Sequence, residues 1–303
     1  MKKIILVLLI QPIVILNCSG QQLTYSKVIQ FFSANTVTAS FDGGLMMADE
    51  NGVIVKVDQA GDIIWTNKYD NNNPSVYPDV WLNHIAPTFD SCFVLAGSAY
   101  NAGIGNADAL CMKINQQGDT LWSSTIRKNG YSSFRARVVE QVIDSGYVIT
   151  GSADDLNFSS TGIFAAKLNG EGDVEWISII TGVNSNFYSY TVKQAPDSAY
   201  LIGGFAENYP PYAPNAFLLK LSATGDMVWS KKYNYTVPVF TYINDMSITA
   251  TGIICYFNNP SSIGFVKTDF SGNVEWSRTY DNFCGNYNFI PEHTQKLHKT
   301  ADD

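Results

Sequence analysis

The sequence predicts an all-β chain built as a β-propeller of four-stranded blades. Three observations lead there: an aromatic-rich and charge-poor composition, a frame repeated five times, and a hydrophobic alternation that changes along each repeat. The 303 residues are 46% hydrophobic and 13% aromatic but only 15% charged, so the chain can bury a large core, and neither disorder nor a coiled coil fits. Its 17 Tyr, 17 Phe and 6 Trp, with 23 Gly and no long Ala/Glu/Lys/Leu-rich stretch, favour short strands over helices. Lysine and arginine number 19 against 27 aspartates and glutamates, a net charge of −8, which argues against a nucleic-acid footprint.

Residues 1–20 read as a secretory signal peptide. Lys2 and Lys3 precede an apolar run from Ile4 to Leu16, and the small or polar Asn17, Cys18, Ser19 and Gly20 follow. The run is too short to span a bilayer, which takes about 20 residues. No other stretch qualifies as a transmembrane segment, so the mature part reads as soluble. Cleavage after Gly20 leaves Gln21 at the N-terminus; an alternative makes Cys18 the lipidated cysteine of an outer-membrane lipoprotein. The expected address is therefore secreted or cell-surface. Residues 23–29 then match the outer-strand pattern of the repeat described next, with Leu23, Tyr25 and Ile29 on one face.

Five segments share one frame: Lys56 to Trp65, Lys113 to Trp122, Lys167 to Trp176, Lys220 to Trp229 and Lys267 to Trp276. In each, Lys to Gly is five residues and Gly to Trp is four, the glycines being Gly61, Gly118, Gly172, Gly225 and Gly272. Trp81 alone among the six tryptophans stands outside the frame. Upstream of each frame lies a turn followed by an apolar strand, as in Asp144-Ser145-Gly146 before Tyr147-Val148-Ile149-Thr150. The turn supplies the positions a tight hairpin needs, and the strand after it is apolar on both faces, as is the strand holding the frame Lys. The last strand alternates: Ile63, Trp65 and Tyr69 on a packed face, Ile64, Thr66 and Lys68 towards water. Buried strands first and a half-exposed strand last, over about 50 residues, describe one propeller blade, with the Trp as a plug between neighbours. The repeats run roughly 29–70, 71–128, 129–184, 185–235 and 236–283, and a polar tail occupies 284–303. Five full repeats plus the extra N-terminal strand fit either a five-bladed ring with a spare strand or an incomplete six-bladed one.

The pattern G-Y-V-I-x-G-S, a polar loop, then K-x-D-x-x-G-[DN]-x-x-W-[ST], over residues 23–283, resembles the β-propeller repeats of secreted and surface proteins of the Bacteroidota. That resemblance implies an architecture and no common catalytic residues. The repeat is more distantly similar to quinoprotein dehydrogenase-like propellers, but Asp58 to Gly61 is one residue short of their acidic-to-Gly spacing and Lys replaces their small residue. The quinone cofactor is not implied, and no cofactor is expected.

Candidate chemistry is sparse. The frame lysines read as structural, each stem along a neighbouring Trp with its ammonium at the rim, rather than as cations lining a channel. The frame Gly and Trp read as structural too. Residues 101–108 superficially look like a phosphate loop, but no helix follows to bind an anion. Asp154, Asp155 and Asn157 offer too few oxygens for calcium. Cys92, Cys111, Cys255 and Cys284 read as small buried hydrophobes rather than a disulfide framework, and with His84, His293 and His298 they give no metal-ligand spacing. The most individual loop, residues 207–215 with 71–81 beside it, puts Trp81, Tyr209 and Tyr212 forward as ligand-binding aromatics. No nucleophile or zinc-hydrolase motif occurs. The sequence thus predicts an exported, non-enzymatic module that binds a protein, peptide or glycan. The alternative is a carbohydrate-active hydrolase or lyase using carboxylates on the axial face.

Overall fold

The computed structural model of the chain describes residues 34–69, 79–103, 105–156, 160–182, 185–208, 213–233, 242–258 and 262–281. Every regular element among them is a β-strand, and hydrogen bonding gathers twenty strands into five antiparallel four-stranded sheets in chain order. The first sheet holds β1 (Ala34–Ala39), β2 (Leu45–Asp49), β3 (Val53–Val57) and β4 (Ile63–Lys68). The second holds β5 (Val80–Pro87), β6 (Phe93–Asn101), β7 (Asn106–Ile114) and β8 (Thr120–Ile126). The third holds β9 (Tyr131–Gln141), β10 (Tyr147–Asp155), β11 (Thr161–Leu168) and β12 (Val174–Ile180). In the fourth are β13 (Ser185–Gln194), β14 (Tyr200–Asn208), β15 (Ala213–Leu221) and β16 (Met227–Tyr233); in the fifth, β17 (Tyr242–Ile248), β18 (Ile253–Asn258), β19 (Ser262–Thr268) and β20 (Val274–Asp281). The fold is the all-β propeller the repeat predicts. The extra strand at 23–29, the signal peptide, Cys18, Cys284 and the tail lie outside the described residues.

Turn chemistry sets the up-and-down order. Ser91, Ser145 and Ser198 hold φ of 59°, 68° and 63° in the first turn of their blades, where the first blade has Gly43 at 85°. Each closes a tight turn, as when Ser91 N–H donates to Thr88 O at 3.1 Å, and loops this short join antiparallel neighbours. The first strands β1, β5, β9, β13 and β17 contact one another in succession, so they form the inner layer of the propeller.

The core lies between blades. Met46, Ile54, Leu82, Phe93, Leu95 and Met112 fill the space between the first and second sheets. Val94, Cys111, Phe134, Tyr147, Phe164 and Leu168 do so between the second and third, and two further clusters repeat the arrangement to the fifth sheet. Strands of the middle layers therefore bury both faces, which is why they read as continuous apolar runs.

The expected alternation of the last strand needs correction. Each third–fourth strand pair carries a register shift just before the Trp: Lys56 faces Trp65 but Val57 faces Ile63, leaving Ile64 extra, and the other four sheets repeat it. A bulge breaks strict alternation. Tyr69 is therefore buried while Ile63 is 53% exposed, although period two alone places both on the packed face. In the fifth sheet Val274, Trp276 and Tyr280 are exposed together.

Cys92, Cys111 and Cys255 are free thiols; Cys111 and Cys255 are buried, whereas Cys92, expected to be a buried hydrophobe, is only half-buried. Cys92 precedes β6 rather than lying in it, and Cys111 pairs with Ala96, so the two sit several residues apart along the sheet. At about 3.3 Å per residue that exceeds disulfide reach. Burial pushes the Cys111 thiol up, and that of Cys255 to about 12, so both stay protonated.

Candidate functional site

The repeated residues build the joints between blades. Lys56, Lys113, Lys167 and Lys220 are buried, and each ammonium meets the turn carboxylate of its own blade: Asp42 at 2.7 Å, Asp90 at 2.7 Å, Asp144 at 3.0 Å and Asp197 at 2.5 Å. Lys267, whose turn offers Thr251 instead of Asp, bonds Thr251 Oγ1 and Glu275, both at 2.7 Å. The ammonium groups thus sit at neither the rim nor a channel, because a buried cation needs a counter-charge more than a ring face. The hydrogen bonds from Lys56 and Lys220 hold Asp42 and Asp197 below the usual carboxylate range.

The frame Gly of one blade receives the Trp of the blade before. A Cβ on Gly118, Gly172, Gly225 or Gly272 would come within 3.1, 2.6, 2.7 or 3.0 Å of the ring of Trp65, Trp122, Trp176 or Trp229 respectively. Those glycines also hold φ of 74° to 89°, so two independent reasons exclude a side chain. Trp65 and Trp176 donate Nε1–H to Gln116 O and Ala223 O of the next hairpin, each at 3.1 Å. A hydroxyl then takes the glycine carbonyl: Tyr69 and Tyr233 at 2.6 and 3.0 Å, Ser124 and Ser178 at 2.5 Å. Gly61 opens this series at φ 76° and Trp276 ends it, 39% exposed.

The inner strands present something different. Each carries a register shift against its neighbour, and the residues left extra are Asn35, Asn83, Arg137, Tyr190 and Asn244. Opposite three of these bulges stands a glycine, and a Cβ on Gly97, Gly151 or Gly204 would meet the carbonyl of Trp81, Arg135 or Tyr188 at 2.0, 1.9 or 1.9 Å. The bulge turns its residue towards the axis. Asn35 Nδ2 donates to Leu82 O at 3.4 Å and Asn83 Nδ2 to Ala136 O at 2.7 Å, one blade to the next. In the next position the guanidinium of Arg137 lies 4.7 Å from the ring centre of Tyr190, which meets Tyr242 edge-on.

A cavity of about 870 Å³ lies here, lined by residues of all five inner strands. Among its polar groups are Asn83, His84, Arg137, Glu140, Lys193 and Asp245. His84 Nδ1 accepts the N–H of Val139 at 3.3 Å, which leaves Nε2 to carry the proton of the neutral ring. Glu140 takes the ammonium of Lys193 and the N–H of Gln194. Asp245 Oδ1 accepts from Thr191 Oγ1 at 2.9 Å and from the N–H of Met246 at 2.8 Å. Burial alone would lower the pKa of Lys193, but the attraction and hydrogen bond of Glu140, with Asp245 beyond, raise it. The two carboxylates in the lining are thus already engaged. The charged groups and Tyr190 come from β9, β13 and β17, while β1, β5 and the turn after β5 supply an amide, a hydroxyl, His84, Phe89 and apolar side chains.

Of the aromatics singled out from sequence, one can be placed. Trp81, on β5, is 37% exposed and outside the lining. Tyr209 and Tyr212 lie outside the described residues. Asn101 bonds Asp108 at 2.9 Å and Gly103 N–H at 3.0 Å, closing its own loop. Asp154 is taken by Arg135 at 2.6 Å and Thr161 at 2.9 Å. Among the described residues no group of three or more His, Cys, Asp or Glu could hold a metal ion, and no helix is long and apolar enough to cross a membrane.

The axial residues escaped the sequence reading because they share a position and not a residue type. A signal exists: each stands seven residues before a turn position, Asn35 before Asp42, Asn83 before Asp90, Arg137 before Asp144, Tyr190 before Asp197 and Asn244 before Thr251. Gly97, Gly151 and Gly204, interior to strands, mark the bulge itself.

No family model matches the chain, and neither does any curated protein. Solved structures do. A protein of unknown function from Bacteroides caccae superposes with a TM-score of 0.52 at 10% identity, over 84% of each chain. The GH93 α-L-arabinofuranosidase of Fusarium graminearum, in complex with arabinobiose, gives 0.55 at 11% identity over 81% of this chain and 79% of its own. The likeness is one of fold.

Proposed function

We propose that this chain is an exported, non-enzymatic β-propeller serving as an interaction module at the bacterial cell surface or outside the cell, with its ligand received at the axial cavity. The observation that carries this reading is the cavity itself. Its volume lies in the range of about 300–1,000 Å³ that ligand sites occupy. Four of the bulges bring Asn83, Arg137, Tyr190 and Asn244 to it, yet Glu140 is committed to Lys193 and Asp245 to Thr191 and the backbone. Hydrolysis of a glycoside needs one carboxyl group as acid and another as base or nucleophile, free to exchange protons with substrate. Engaged groups fit recognition better than that chemistry.

The test is a glycan and peptide array probed with the full chain, followed by a turnover assay on each hit. Binding without turnover, weakened by Asn83→Ala or Lys193→Met, is the expected result. Turnover lost in Glu140→Gln or Asp245→Asn sinks the non-enzymatic reading. Mass spectrometry of the exported N-terminus checks the address: a start at Gln21 supports secretion, lipid on Cys18 a surface anchor, and an intact residue 1 opposes both.

A further inference from the structure

The face of the propeller that carries the turns and the frame hairpins combines two features around the cavity mouth. One is a collar of exposed apolar residues at equivalent positions, one before each turn residue: Phe41, Phe89, Ile143, Pro196 and Ala250. Phe89 and Ile143 are 70% and 82% exposed, and Phe89 also lines the cavity, so the collar and the cavity are continuous. The turns lean across the inner layer. Phe89 N–H donates to Gln141 Oε1 of the next blade at 2.6 Å, Ile143 N–H to Gln194 Oε1 at 2.9 Å, and the ring of Phe41 sits 5.4 Å from that of Phe93. These contacts fix Phe41, Phe89 and Ile143, and they leave the Phe89 and Ile143 side chains in water, where they add nothing to the core.

The second feature is charge. Four of the five turns carry Asp, and hairpins 58–62, 115–119, 169–173, 222–226 and 269–273 carry seven more carboxylates, with no Lys or Arg in any of these ten loops. The frame lysines beneath answer the turn aspartates. Beside the fifth hairpin Lys231 donates to Asn273 Oδ1 at 2.6 Å. An apolar centre inside an acidic surround is complementary to a basic chain with an apolar side chain to insert.

We propose that this face docks a basic polypeptide segment, rich in Lys or Arg, that seats an apolar side chain in the collar at the mouth of the axial cavity. The proposal rests on the interaction-module reading and names the partner class for it. Carboxylates around the collar would steer the segment in, so binding weakens as salt screens them, and the collar then sets the dissociation rate.

The probes are three fluorescein-labelled peptides of about 12 residues, which reach about 40 Å when extended. One alternates Lys with Ser around a central Leu-Phe, the second has Glu for Lys, and the third has Ser-Ser for Leu-Phe. With the full chain, the Lys/Leu-Phe peptide should bind, at least about tenfold more weakly at 300 than at 50 mM salt. The other two should bind at least about tenfold more weakly than it does. The double variant Phe89→Ser/Ile143→Ser should lose about tenfold in affinity with its melting temperature unchanged, since both side chains are exposed. Equal binding of the Lys and Glu peptides, binding by neither, or full affinity in the double variant overturns the proposal. An array hit on a glycan, lost in Lys193→Met while the Lys peptide stays unbound, overturns this inference and leaves the interaction module standing. Silence on array and peptides alike removes both.

Discussion

The blade joints and the axial bulges both recur from blade to blade, yet they are built on opposite principles. At the joints the same residues recur: Lys on its turn carboxylate, Trp against the next glycine, a hydroxyl on that glycine's carbonyl. At the axis the same backbone recurs while Asn, Asn, Arg, Tyr and Asn take the bulge. A joint must do one thing four times over, so geometry selects one residue for it. An axial position needs only its backbone repeated, which frees the side chain to vary by blade. Within a repeat fold, identity therefore marks architecture, and variation on an identical backbone marks the surface available for recognition.

The largest effect is expected at the axis, at Gly204, which stands opposite the Tyr190 bulge. Gly204→Val places a Cβ on the Tyr188 carbonyl across from the Tyr190 bulge. The loss should exceed about 4 kcal/mol, seen as a chain without cooperative unfolding by circular dichroism. Next come the tryptophans. Trp122→Ala removes a ring packed on Gly172 and should cost about 3–5 kcal/mol in urea unfolding, whereas Trp276→Ala, at the exposed end of the series, should cost under about 1 kcal/mol. Equal costs would show that the plug owes nothing to the following blade.

Lys193→Met sharpens the other half of the comparison. It takes the counter-ion from Glu140 in a partly exposed pair, so stability should fall by about 1 kcal/mol while affinity for an axial ligand shifts by about tenfold or more. The smallest effect is on pH dependence. Asp197 lies below the usual carboxylate range in the fold because Lys220 donates to it. Such a group stabilises above its unfolded value, near pH 4, and the contribution fades as pH falls through the lower folded value. Asp197→Asn should thus flatten the acid limb of the stability profile below about pH 4, modestly because the carboxylate is half exposed.

Legibility followed the same division. The frame from Lys to Trp stood out in sequence because identical letters at fixed spacing cannot be missed, and the four-stranded sheets follow from it. What the letters did not carry was the partner of each Lys. Asp144 and Lys167 lie 23 residues apart, as do Asp90 and Lys113 and Asp197 and Lys220, a spacing visible in the sequence but without meaning until antiparallel pairing folds one end of the strand onto the other. Ile63 shows a second blind spot: the bulge at Ile64 shifts its face by one residue, and period-two reasoning has no way to register an extra residue. The axial set was missed for a third reason. Asn83, Arg137 and Tyr190 share no chemistry, and their common position shows only when the turns are aligned.

By itself, then, the amino-acid sequence determined the fold class, the repeat and the residues of its joints, because local turn chemistry, strand patterning and a five-times-repeated Lys, Gly and Trp are properties of neighbouring residues. The tertiary structure alone decided which side chains meet at the axis and which apolar positions gather into a collar. Glu140 and Lys193, for example, come from different blades, and only the packing of one sheet against the next brings them together.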